Sequence, residues 1–161
     1  MRVLLVCVRR LLLLCVAGFA VTLVSCSSNG VMQVRQFHLK SVDPEGMKDA
    51  AMVRGEQMYR LRGAVSMEEH RQRLGQYYTV RWNNDGSHAG PLSIAFEYRQ
   101  AATGSEILRM SRDLPLSETS GQVEFAVNGE AYRTGGRVLA WRIRMFSDDK
   151  VIAEKKSYLW R

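Results

Sequence analysis

The residues able to do chemistry are few and scattered. His38, His70 and His88 stand far apart, and no pair has the HxH or HExxH spacing that places two imidazoles on one metal ion. Carboxylates adjoin at Glu68-Glu69 and Asp148-Asp149. Neighbouring residues on a helix diverge, and Asp-Asp suits a turn, so neither pair forms the cleft that glycoside hydrolysis needs. "NNDGSH" (83–88) has oxygen ligands and a glycine but lacks the distal Glu of a calcium loop. There is no GxSxG elbow for a nucleophilic serine and no glycine-rich phosphate loop between a strand and a helix. This inventory predicts no catalytic residues, no metal and no cofactor. The aromatic residues remain: Tyr77 beside Tyr78 on one strand, and the penultimate Trp160. Tyr77 and Trp160 are the candidate contacts for a ligand or partner if their rings are exposed.

The three cysteines, Cys7, Cys15 and Cys26, all lie near the N-terminus. Arg2, Arg9 and Arg10 precede or interrupt apolar stretches, and Leu11 to Val24 is an apolar run shorter than the about 20 residues of a spanning helix. It stops at Leu23-Val24-Ser25-Cys26 and passes at once into Ser, Ser, Asn and Gly. This segment resembles the lipobox signal peptide of bacterial lipoprotein precursors. The resemblance implies cleavage between Ser25 and Cys26 and attachment of lipid to Cys26. It also implies a cell-envelope location, anchored in the membrane through that lipid. Ser27, where an Asp would favour inner-membrane retention, favours the outer membrane facing the periplasm.

On that reading 1–25 is signal peptide, 26–33 a lipidated tether and 34–161 one domain. The only cysteine left carries lipid, so no disulfide and no thiol nucleophile is expected. Loss of the signal removes three arginines and no acid, taking the net charge from +7 to about +4. No run of Lys and Arg of nucleic-acid type is present.

The elements that must position any site read as strands. "QYYTVRWN" (76–83) aligns Tyr78, Val80 and Trp82; "LSIAFEYRQ" (92–100) aligns Ile94, Phe96 and Tyr98. "RVLAWRIRMF" (137–146) aligns Leu139, Trp141, Ile143 and Met145 against Arg142 and Arg144. Residues two apart share a strand face, so each of these strands has one buried and one wet side. Trp141 is expected in the core, and Arg142 on the wet face, where truncation costs within about 0.5 kcal/mol. Shorter alternations at 34–40, 56–63, 107–114, 121–129 and 150–160 bring the count to seven or eight strands. One short helix is predicted, with Ser66 and Glu69 as a capping box and Gly75 as its C-cap. Asn128-Gly129 and Asp148-Asp149 read as hairpin turns.

Together these patterns predict an all-β chain: an immunoglobulin- or fibronectin-III-like β-sandwich, with a small β-barrel as the alternative. "GQYYTVRW" and "KKSYLW" are similar to segments of small bacterial lipoproteins with no assigned activity. The function expected is a non-enzymatic, membrane-tethered, monomeric domain that binds or helps assemble another envelope component, with an envelope protein as the partner. The alternative is a carbohydrate- or small-ligand-binding module using exposed aromatics.

Overall fold

The computed structural model describes residues 30–40, 50–84, 86, 88 and 90–161; Ser25, Cys26 and the apolar run before them lie outside the described residues. Seven strands form two antiparallel sheets. β1 (Met32–Leu39), β2 (Gly75–Asn83) and β5 (Ser120–Asn128) make the first, in the order β1-β2-β5. β3 (Leu92–Gln100), β4 (Leu108–Asp113), β6 (Val138–Ser147) and β7 (Lys150–Lys156) make the second, in the order β4-β3-β6-β7. The chain changes sheet after β2, after β4 and after β5, and among the described residues no ladder joins the two sheets, so they do not close into one barrel. This is an immunoglobulin-like sandwich in which the fourth strand lies on the edge of the second sheet.

The alternation read from the sequence sets the core. Tyr78, Val80, Trp82, Phe125 and Val127 face inward from the first sheet; Ile94, Phe96, Tyr98, Ile143 and Met145 answer from the second. Phe96 is the hub, with ring centroids 4.6 Å from Tyr78, 4.9 Å from Tyr98 and 5.5 Å from Phe125. Two buried glutamines tie the layers. The Gln76 side chain exchanges hydrogen bonds with the backbone N–H and C=O of Val138 on the opposite sheet. Gln100 Nε2 donates to the carbonyls of Ala131 (2.9 Å) and Gly136 (2.8 Å). Removing the Gln76 amide would strand the buried backbone groups of Val138.

Among the described residues three helices are present where one was expected. α1 (Ala51–Leu61) replaces the strand predicted over 56–63. The alternation of Tyr59 and Leu61 is too short to separate a strand from a helix, and Ala, Met, Glu, Gln, Arg and Leu around it favour the helix. α2 (Met67–Arg73) is the predicted helix, and its capping box forms: Ser66 Oγ accepts from Glu69 N at 3.1 Å, and Ser66 N donates to Glu69 Oε2 at 2.9 Å. Gly75 is not its C-cap. It opens β2 at φ +153°, where any Cβ would strike the Val127 carbonyl. α3 (Gly129–Gly135) occupies the place of the Asn128-Gly129 hairpin. Gly129 does adopt positive φ, but the chain then coils and crosses to the second sheet, held by Gln100. Asp148 and Asp149, both at positive φ, form the β6–β7 hairpin as predicted.

Two further expectations are corrected on β6. Trp141 is only half-buried: it packs edge-on to Tyr78 at 5.6 Å and reaches the open seam between the sheets, where its Nε1 donates to Gln36 Oε1 at 3.2 Å. Leu139 is exposed: a bulge there puts Val138 in the core in its place. Arg142 is not a free surface arginine. It grips Glu97, which is buried on the outer face of the second sheet, and Arg144 grips the same carboxylate.

Candidate partner-binding surface

The candidate contacts Tyr77 and Trp160 are both covered, which corrects the expectation of exposed rings. Tyr77 lies on the outer face of the first sheet, under α1. The Arg60 guanidinium sits 4.1 Å from its ring centroid, and its hydroxyl donates to the Arg73 carbonyl at 2.5 Å. Trp160 folds back over the second sheet after β7. Its ring lies against the guanidinium groups of Arg99 and Arg142, at 5.1 and 4.9 Å. Each indole or phenol face is thus taken by a cation from the same chain, and no sugar ring can stack there without displacing it.

The polar residues do not converge on a reaction centre. His38 Nε2 lies 2.7 Å from Tyr132 Oη; burial, helped by Lys40 and Arg137, lowers its pKa. His38 belongs to the end of β1 near α3, whereas His88 lies in the β2–β3 connection at the opposite end of the sandwich. Glu97 is the one buried acid among the described residues. Burial alone would raise its pKa. Hydrogen bonds and charge from Arg142 and Arg144 outweigh that and hold the carboxyl below its ordinary range. An acid so held is a poor proton donor near neutral pH. Among the described residues no group of three or more His, Cys, Asp or Glu could hold a metal ion, and no helix is long and apolar enough to cross a membrane.

The surface feature that stands out is α1, which is mounted inside out. Arg60 attaches it, bridging to Glu56 (2.9 Å) on its own helix and Glu124 (2.6 Å) on β5. Arg73 Nη1 caps its C-terminal end, donating to the Arg60 carbonyl at 2.9 Å and the Arg62 carbonyl at 2.6 Å. Its buried residues are Gln57 and Arg60. At 100° per residue, Ala51, Met52, Gly55, Met58 and Tyr59 share the opposite arc, and all five are exposed. Met52 is 81%, Met58 65% and Tyr59 62% accessible. A surface helix ordinarily turns its apolar arc to the core. Here the sheet already offers Tyr77 and the charge of Glu124, so Arg60 and Gln57 take the inward side with Val53 between them, while Met52, Met58 and Tyr59 face water. Val65 and Met67 add exposed apolar surface just beyond the helix. A groove of about 670 Å³ runs between α1 and the outer face of the first sheet.

No sequence motif announces this surface. The one available signal is that Met52, Met58 and Tyr59 share an arc, which emerges only once 51–61 is known to be helical. Fold and surface together define an immunoglobulin-like sandwich bearing on one sheet a helix with exposed apolar residues. Comparisons with protein-family models, with curated proteins and with solved structures found no match.

Proposed function

We propose that the chain is a lipid-anchored, non-enzymatic domain of the bacterial cell envelope that binds another envelope protein through the solvent-facing side of α1. The carrying observation is the inverted burial of that helix. Large exposed apolar residues gathered on one element are a mark of interaction surfaces, and methionine suits them because it repacks against varied shapes. The lipobox at Leu23–Cys26 supports the anchor. From Cys26 to Met32 the tether is six residues, about 20 Å at full stretch, so the sandwich works close to its membrane. Ser27 supports the outer membrane. The saturation of Glu97 and the separation of the histidines support a role without catalysis. The covered rings of Tyr77 and Trp160 count against a carbohydrate module.

Two measurements test the two halves of this reading. Cys26→Ala should abolish palmitate labelling and release the protein from the membrane fraction. A labelled, membrane-bound variant would remove the anchor. A photo-crosslinking residue placed at Met58 should trap one discrete partner in cells, while the same residue at Ser111, exposed on β4, should not. Burying a methionine stabilises by about 1.5 to 3 kcal/mol, so Met58→Asp should weaken the complex at least about tenfold. Equal trapping from both positions would discard α1 as the binding face.

A further inference from the structure

The groove beside α1 carries a charge pattern that narrows the partner. Met52, Val53 and Tyr59 form its helical wall, and Phe37 contributes apolar surface on the sheet side. Three arginines and two glutamates also line it: Arg35, Arg60 and Arg81 with Glu56 and Glu124. Both glutamates are engaged by Arg60. Arg35 and Arg81 are left without a carboxylate among the described residues; Arg81 has only a long contact, 3.4 Å, from its Nε to Gln122 Oε1. Arg35 pairs with Thr79 on β2, two residues from Arg81 on the same face, so the two cations are diagonal neighbours on the outer face of the sheet. A helix with its side chains is about 10 Å across, so α1 stands as a ridge above them. A flat bilayer resting on that ridge would meet its apolar residues and stay above the arginines. A chain segment running alongside the helix meets both.

We propose that the groove receives a segment of the protein partner in which carboxylates accompany apolar side chains, Asp or Glu pairing with Arg35 and Arg81 while its apolar residues pack on Met52, Val53 and Tyr59. This rests on the reading of α1 as the binding face. The test uses the purified full-length protein in nonionic detergent. Short synthetic peptides serve as probes, with leucine at alternate positions and Glu, Gln or Lys at the rest. The Glu peptide should bind about tenfold tighter than the Gln peptide, and the Lys peptide weakest. The preference should shrink in salt, because exposed charges are screened. Arg35→Glu with Arg81→Glu should reverse it, and Arg35→Gln with Arg81→Gln should abolish it with the β-type spectrum retained. Equal affinity for the Glu and Lys peptides overturns the proposal. So does a preference for phosphatidylglycerol over phosphatidylcholine micelles without peptide discrimination, which would assign the arginines to lipid headgroups. A Met58 crosslink that persists alongside either result would leave the binding face standing and remove only the acidic partner. Loss of both would remove the site itself.

Discussion

Glu97→Gln should destabilise the domain by about 2 to 3 kcal/mol, although glutamine matches glutamate in shape. Glu97 Oε2 accepts from Arg142 Nε at 2.8 Å and Nη2 at 2.6 Å, and Oε1 accepts from Arg144 Nη2 at 2.6 Å. The carboxylate side chain is 8% exposed; the arginines are 27% and 22% exposed. Removing the central charge leaves two guanidinium groups, Arg142 against Trp160 and Arg144 against Phe146, without the anion that offset their desolvation. Breaking a fully buried ion pair costs about 3 to 5 kcal/mol. The partial exposure of both arginines lets water screen them, and the figure is discounted accordingly. Arg142→Ala should cost less, about 1 to 2 kcal/mol, because Arg144 still holds one oxygen; this replaces the near-neutral effect expected of a wet-face residue.

The same cluster sets a pH dependence. The folded carboxyl has a lowered pKa, so its contribution is complete above the ordinary carboxylate range near about 4.3 and is lost as pH falls through the folded value. Urea melts at pH 7 and pH 3 should therefore show the difference between the native protein and Glu97→Gln shrinking in acid. A constant difference would mean that packing, not charge, is what the substitution removed.

The largest loss is expected from Phe96→Ala, about 3 to 5 kcal/mol. Phe96 has no measurable exposure and contacts rings from both sheets, so its deletion opens a cavity that three aromatic neighbours cannot close. Domains of this size are stable by about 5 to 15 kcal/mol, so the variant should be partly unfolded at moderate temperature. Trp141→Ala should cost less, about 2 kcal/mol, because that indole sits at the margin of the core with part of its surface in solvent, and its hydrogen bond to Gln36 is solvent-accessible. Denaturant melts of the two variants compare them directly. A greater loss at Trp141 than at Phe96 would show that the seam between the sheets, not the aromatic hub, holds the sandwich together.

By itself the sequence determined which residues face the core on β2 and β3, whereas the equally long alternation on β6 is broken by a bulge that turns Leu139 outward. Tyr78, Val80 and Trp82 on β2, and Ile94, Phe96 and Tyr98 on β3, could only share a buried side, because a strand repeats every two residues. The α2 cap and the Asp148-Asp149 hairpin were equally legible, since each depends on residues within three positions of one another. The tertiary structure alone decided what covers the outer faces. Glu97 meets Arg142 across a strand pair 45 residues apart in the chain, and only the β3–β6 register turns three wet-face residues into an ion cluster with a buried carboxylate at its centre. Trp160 is hidden because the chain bends back after β7, and Tyr77 because Arg60 is drawn over it by Glu124. The exposed apolar arc of α1 belongs to the same class. Short apolar spacing at 51–61 fits either period, and which arc of the helix met water was set by the sheet it landed on. Local periodicity assigns a side; long-range register and charge pairing assign its neighbours.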